Sequence, residues 1–160
     1  MSPRRERAFA AIEQKKADIL RRLDPVILRQ REERIAGKAL QDDWSPMQVA
    51  YHLMRAEELL PAPADGSVTR RKPIFFLGCA LLRAAVPIPS KAREEPRDDL
   101  PVVELMQRWA ASREVLHAGL ETALPGERCA QHPVFGALDA DSYLTMLDAH
   151  LTYHLKRWPA

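Results

Sequence analysis

The chain has 160 residues, of which 46% are hydrophobic and 29% are charged, and its formal net charge is +2. This length and composition predict one globular domain, residues 1–160, with a sizeable core. The near balance of 24 basic and 22 acidic residues gives no indication of a nucleic-acid or membrane partner. The most apolar stretch, residues 74–88, is too short to cross a bilayer and is interrupted by Arg83 and Pro87.

The two cysteines, Cys79 and Cys129, stand in unrelated settings, one in the apolar stretch and one in a predicted loop. They favour reduced thiols, and the N-terminal segment lacks the apolar run of a signal peptide, so we expect a cytoplasmic protein. The sequence has no CxxC or CxxH pair. A metal site would therefore be built from imidazole and carboxylate groups.

Helical patterns dominate, because the chain has six glycines and no clear alternation of apolar and polar residues. A first helix is predicted over residues 4–23. Its apolar stripe consists of Phe9, Ile12, Ile19 and Leu23. Pro25 then suits a first helical position, which predicts either a kinked continuation or a short separate helix over residues 25–36.

The stretch WSPMQ has the pattern of a helix start, with Ser45 as N-cap, Pro46 in the first turn and a capping box. This second helix should end near Leu60, where two prolines follow. The apolar stretch from Ile74 predicts a short buried helix. A loop rich in proline and charge follows at residues 86–99.

Asp99 is expected to cap a third long helix. The apolar stripe of that helix consists of Leu105, Trp109, Leu116 and Leu120. A loop is predicted at residues 125–138, before a last helix that is capped by Asp139 or Asp141 and reaches Trp158. The predicted fold is an all-α four-helix bundle with a long middle connection that permits a crossover.

Two histidines of the last helix, His150 and His154, are four residues apart and share the stripe of its core side. His52 lies on the core stripe of the second helix, close to the start of that helix. If the two helices run antiparallel, the three imidazoles meet at one end of the bundle. They are then either ordinary core residues or the ligands of one divalent metal. The metal alternative would satisfy one nitrogen of each ring, whereas a buried polar group without a partner costs roughly 1–3 kcal/mol.

Three histidines would make an open metal site, because structural zinc usually has four protein ligands. Zinc, nickel and iron all suit imidazole. An open site can polarise a substrate or lower the pKa of a bound water or thiol. No glutamate beside a ligand marks a general base, so the catalytic residues stay unassigned.

The other two histidines are weaker candidates. His117 forms a single Glu-x-x-His pattern with Glu114, whereas di-iron bundles need two, so both residues are predicted to lie at the surface. His132 opens the stretch HPVFG, which either plugs the end of the bundle or places His132 in a pocket. Three aromatic residues could line the mouth of such a pocket or fill it: Trp44, Phe135 and Tyr153.

The stretches WSPMQVAYHL and HPVFGALDADSYLTMLDAHLTYHL resemble the DinB-like family of small metalloenzymes. The resemblance implies a four-helix bundle with a long crossover between the second and third main helices. It also implies a metal triad at His52, His150 and His154. Relatives often carry a glutamine shortly after the second histidine of the pair, where this chain has LKRW. Characterised relatives include metal-dependent transferases and isomerases that use low-molecular-weight thiols.

The preferred functional hypothesis is a metal-dependent transferase that uses a low-molecular-weight thiol, or a hydrolase, acting on a small-molecule substrate. The alternative is a non-enzymatic stress-response or binding protein with a structural or sensing metal site. A DNA-binding function ranks third, given the near-neutral charge. The crossover helix is expected either to be buried on all sides or to form a homodimer interface, which the resemblance favours. Its apolar residues are Phe75, Phe76, Leu81 and Leu82.

Overall fold

The computed structural model describes residues 1–24, 44, 46–58, 73–87 and 101–158. Within these ranges the chain is mostly helical, with one small sheet. The elements are α1 (Pro3–Arg22), α2 (Pro46–Glu57), α3 (Pro73–Arg83), α4 (Val102–Thr122), β1 (Arg128–His132), β2 (Gly136–Asp139) and α5 (Ala140–Arg157). The predictions for residues 25–36 and for caps at Ser45 and Asp99 lie outside the described residues.

The helices form where their apolar stripes and caps predict them. Ser2 caps α1 by accepting a hydrogen bond from the Arg5 backbone N–H, and Asp139 caps α5 by accepting one from Ser142. Every residue of the predicted stripes of α1 and α4 is buried. In the described ranges, no helix is both long enough and apolar enough to cross a membrane.

Helix α5 is central to the packing, since it contacts α1, α2 and α3, while α4 contacts α1 and α2. The direction of α2 follows from its side-chain contacts. His52, near its start, lies beside His150, and the hydroxyl of Tyr143 donates to the carbonyls of Ala56 and Glu57 at its end. Helices α2 and α5 are therefore antiparallel, which is the condition for the three histidines to meet.

The predicted loop at residues 125–138 is corrected by the structure, which contains an antiparallel β-hairpin there. Strand β1 pairs with β2, and His132 lies opposite Gly136. Gly136 has φ +76°, the left-handed conformation that closes a three-residue hairpin loop. Each strand has a single buried residue, Ala130 in β1 and Leu138 in β2. One inward residue per strand is too little to be recognised in the sequence as an alternation of apolar and polar residues.

Helix α3 packs one face against α5 and exposes the other. Phe75 and Leu82 are buried, whereas Phe76 is 57% exposed and Leu81 is 43% exposed. The helix is therefore not buried on all sides in the single chain. A homodimer through this exposed face stays a prediction, which the mass in solution by light scattering would test.

Candidate metal centre

The three histidines of the predicted triad lie together where α2 and α5 meet. The distance between Nε2 of His52 and Nε2 of His150 is 2.9 Å, and the distance between Nε2 of His150 and Nε2 of His154 is 3.0 Å. The potential ligand atoms of the three residues all lie within 4.8 Å of one another. The antiparallel packing and the one-turn spacing of the pair thus bring three ring nitrogens to one point.

The donor set fits a divalent transition metal. Zinc–imidazole distances of about 2.0–2.1 Å place tetrahedral ligand nitrogens about 3.3 Å apart, a few tenths of an ångström more than the Nε2 separations of this cluster. Three imidazoles suit zinc, nickel or iron. Among the described residues, no carboxylate or thiol joins the group. The site can therefore supply three neutral nitrogen ligands.

Burial keeps these imidazoles uncharged. It lowers the pKa of His52 to about 4, and the nearby His132 adds to this effect. It also holds the pKa values of His150 and His154 well below the ordinary value, with further lowering from His52 in both cases and from Arg157 at His154. Neutral imidazole is the form that binds metals, so the triad is in its ligand form at neutral pH.

Aromatic rings hold the triad in place. The Trp44 ring lies 5.1 Å from the His52 ring and stacks at 6.5 Å on the ring of His154. The Tyr153 ring contacts His154 edge-on at 5.1 Å. The buried Nδ1 atoms of His150 and His154 have no hydrogen-bond partner among the described residues, so ring packing orients these side chains. Tyr153 is fully buried and does not line the neighbouring cavity.

A cavity of about 260 Å³ adjoins the triad, and both His52 and His150 line it. It lies between α3, the β-hairpin and α5. Its apolar walls include Ile74, Leu81, Leu82, Val86, Phe135 and Met146. Phe135 thus lies in the wall of a cavity beside the histidine triad, while Trp44 contacts the triad outside this cavity.

Gly78 allows Phe135 to approach α3. A Cβ atom built on Gly78 would lie 2.6 Å from Cε1 of Phe135, far closer than a van der Waals contact. A glycine inside a helix costs about 1 kcal/mol relative to alanine, so it is usually kept there for a packing or functional reason. The sequence therefore carried a signal for the wall of this cavity, although not for the residue on the other side.

His132 also lines the cavity, and the turn that follows it fixes its orientation. Its Nδ1 accepts hydrogen bonds from the backbone N–H groups of Val134, at 3.1 Å, and Phe135, at 3.2 Å. The ring stacks on that of Phe135 with 4.7 Å between the centroids. Burial lowers the pKa of His132 to about 4.

A second buried polar cluster joins α1, α2 and α4, and sequence reasoning missed it. Nζ of Lys16 donates to Oε2 of Glu57 at 2.9 Å and to the carbonyl of Trp109 at 2.8 Å. The hydroxyl of Ser112 donates to the same Glu57 oxygen at 3.1 Å. Burial raises the pKa of Glu57, and the charge of Lys16 opposes that rise.

The remaining candidates lie away from the triad. His117 is partly exposed and contacts Phe9 and Glu121, while Glu114 is exposed. Both cysteines are free: Cys79 is buried in α3, and Cys129 lies in β1, where burial raises the pKa of its thiol to about 12. Neither cysteine belongs to the histidine cluster.

The chain matches no family model, no curated protein and no solved structure. The case for a functional site therefore depends on the geometry of the three histidines and of the cavity beside them.

Proposed function

We propose that this protein is a metal-dependent enzyme in which His52, His150 and His154 hold one divalent transition metal, either zinc, nickel or iron. The observation that carries the proposal is the convergence of three imidazoles, two of which, His52 and His150, line an apolar cavity. A purely structural site has no need for a cavity at its ligands. A small-molecule substrate would bind in this cavity.

The arrangement of the helices supports a four-helix bundle of the DinB-like type. Helices α1, α2, α4 and α5 contact one another in a ring, and α3 packs outside on α5. In this proposal α3 belongs to the crossover between the second and third main helices. The assignment to the DinB-like family depends on the two sequence motifs and on this arrangement.

The residues of the chain would bind, orient and desolvate the reactants. A divalent metal held by three protein ligands lowers the pKa of a bound thiol or water and so supplies a nucleophile at neutral pH. The neutral imidazoles add no charge to the site, and the apolar walls exclude water, which strengthens electrostatic interactions inside. The preferred reaction is transfer of a low-molecular-weight thiol, and the support for the thiol comes from the family resemblance alone.

The experiment is a metal-dependence assay with a panel of thiols. The conjugation of cysteine, glutathione and coenzyme A to chlorodinitrobenzene would be followed by absorbance, after chelation and after addition of zinc, nickel or ferrous iron. We expect conjugation above the uncatalysed rate only with metal, and only if His52, His150 and His154 are intact. Rates that never depend on metal, for any thiol, would count against the transferase.

A non-enzymatic metal protein is the second candidate, and one observation favours it. Among the described residues, the cluster consists of three histidines without a carboxylate, which gives it the ligands of a metal site but no acidic side chain to act as a base within it. This candidate predicts tight metal binding and a large gain in thermal stability, with no turnover in the assay above.

A further inference from the structure

The hydrogen bonds of His132 determine which of its ring nitrogens carries the proton. Nδ1 accepts two backbone N–H groups, those of Val134 and Phe135, so it carries no proton itself. A neutral imidazole has one N–H, which must then be at Nε2. The pKa of about 4 keeps the ring neutral at physiological pH. The hydrogen bonds found among the described residues leave Nε2 unused, so the polar group that His132 can offer to a molecule in the cavity is an N–H donor.

The cavity that His132 lines is suited to a small uncharged molecule. Among the described residues, its lining contains no charged side chain, and its polar groups are imidazoles. Its volume of about 260 Å³ exceeds the roughly 150 Å³ of an apolar cavity that holds benzene. A substituted ring or a branched chain of similar size would fill it, and in the metal-free protein an anionic molecule would be desolvated without a described counter-charge.

We propose that His132 determines the specificity of this cavity, by donating its Nε2–H to the carbonyl-type oxygen of a small, uncharged, largely apolar substrate. The apolar part of the substrate fills the space between α3 and Phe135, and its polar end faces His52 and His150. The inference rests on the proposed function only in calling this molecule a substrate. Binding of the molecule in the cavity through His132 needs no metal. His132 is a positioning residue, because the reacting group would lie at the triad.

The Nε2–H of His132, unpaired among the described residues, would make the cavity discriminate between ligands that have an acceptor oxygen and ligands that lack one. A ligand that lacks the oxygen would cover the Nε2–H without offering it an acceptor, and sites built around a hydrogen bond reject analogues that cannot form it. Acetophenone and α-methylstyrene make a matched pair of probes. They have the same shape, and the carbonyl oxygen of the first is replaced by a methylene group in the second.

Two variants separate the donor from the support that His132 gives to the hairpin turn. In His132→Asn, the amide oxygen can replace Nδ1 as acceptor for the turn, while the Nε2–H donor is lost. In His132→Gln, the amide nitrogen can replace Nε2 as donor, while the acceptor for the turn is lost. A residue that only supports the turn would show the opposite pattern, with His132→Asn resembling the wild type.

The experiment measures dissociation constants for both probes, by ¹H–¹⁵N NMR titration of the full chain, with and without zinc. We expect the wild type to bind acetophenone roughly two- to tenfold more tightly than α-methylstyrene, as one net hydrogen bond supplies. His132→Asn should lose this preference at an unchanged melting temperature, and His132→Gln should keep part of it. Failure of the wild type to bind either probe, equal affinities, or a preference that survives in His132→Asn would overturn the inference.

A second measurement needs no variant. The ¹⁵N chemical shifts of the His132 ring distinguish a protonated Nε2 from a protonated Nδ1, and the Nε2 signal should move with acetophenone but not with α-methylstyrene. A proton at Nδ1, or a signal that responds equally to both probes, would refute the donor role even if His132→Asn does not fold.

Metal content separates this inference from the proposed function. A chain that binds metal through the triad but shows no preference for the ketone refutes the role of His132 and leaves the metal site standing. A preference for the ketone in a chain that binds no metal supports the role of His132 in binding and refutes the enzyme proposal.

Discussion

Helix α2 carries two buried polar side chains that belong to very different clusters. Glu57 meets Lys16, and the two opposite charges share hydrogen bonds with Ser112 and with the carbonyl of Trp109. His52 meets two more imidazoles, and all three present the same kind of nitrogen to one another. The first cluster is complementary within itself, whereas the second consists of three side chains of one type.

This difference indicates what each cluster does. A buried ion pair with further hydrogen bonds ties helices together and needs nothing from outside the chain. Three neutral imidazoles can share few hydrogen bonds with one another, because each ring has one proton and one acceptor nitrogen. A cation at their centre would satisfy all three Nε2 atoms at once. The ion pair is therefore expected to govern stability, and the triad is expected to govern metal binding.

The largest expected effect is the loss of metal from triad variants. Wild-type protein should contain about one divalent transition metal per chain by elemental analysis. His52→Ala, His150→Ala and His154→Ala should each weaken binding by more than the roughly 10–100-fold that the loss of an outer partner causes, because a direct ligand is removed.

Two histidine variants serve as controls for this measurement. His117→Ala removes a partly exposed ring far from the triad, and His132→Ala removes a ring of the cavity wall. Both should keep the wild-type metal content. Equal metal content in the wild type and the triad variants would return the three histidines to the status of ordinary core residues.

The fold could be predicted from the sequence wherever a stripe of apolar residues was long. Ile12 and Ile19 on α1 and Trp109 on α4 recur with the helical period over several turns, and each is fully buried. The β-hairpin was missed because its strands have five and four residues and bury little more than Ala130 and Leu138. A strand this short is stabilised by packing against its neighbours in the fold, so its own sequence does not identify it.

The site could be predicted only in part. Helix spacing predicted that His150 and His154 share one face, and it predicted their meeting with His52 on the condition that α2 and α5 are antiparallel, which the structure shows. The proton position on His132 depends on the backbone N–H groups of a turn, which the sequence does not locate. Lys16, by contrast, left a readable signal, because it is a charged residue between Ile12 and Ile19 on the stripe that faces the core.

The next largest effect should come from breaking the ion pair. Lys16→Met leaves the Glu57 carboxylate buried beside Ser112 and Trp109 without a cation, and we expect a loss of roughly 3–5 kcal/mol in the free energy of unfolding at neutral pH. Metal content should not change. Chemical denaturation would measure the first quantity, and a loss of metal without a loss of stability would reverse the roles assigned to the two clusters.

The same variant has a defined dependence on pH. The folded-state pKa of Glu57 is raised above its ordinary value of 4.5, so the stability linked to its protonated form is present below that pH and is lost as the pH rises through the folded-state pKa. Without Lys16, that pKa should rise further. The deficit of Lys16→Met should therefore be smaller at about pH 5 than at about pH 8, and a deficit that grows on acidification would contradict this account.

A smaller effect is expected where α3 meets the cavity wall. Gly78→Val forces atoms into the ring of Phe135 and should reduce stability by about 1–3 kcal/mol through overpacking. Ala80→Val is the matched control, because Ala80 is exposed on the same helix and the change costs no more than roughly 0.7 kcal/mol in helix propensity. Equal losses in thermal unfolding would mean that Phe135 moves aside freely.

The smallest effect should come from a polar network that is partly exposed. Asp148 accepts hydrogen bonds from Lys15 and Arg83 and so links α1 and α3 to α5. Burial alone would raise the pKa of Asp148, but these two cations lower it below its ordinary value of 3.8. Its contribution is therefore present above that value and is lost as the pH falls through the folded-state pKa, opposite in direction to Glu57.

Asp148→Asn should cost about 0.5–1 kcal/mol at neutral pH, since pairs that face solvent are screened. The difference from the wild type should shrink as the pH approaches about 3 and as salt is added. Denaturation curves at several pH values and salt concentrations would measure both trends. The Lys16–Glu57 pair is buried, whereas the Asp148 network is partly exposed. If Asp148→Asn lost as much stability as Lys16→Met, burial would not be what makes the first interaction the stronger one.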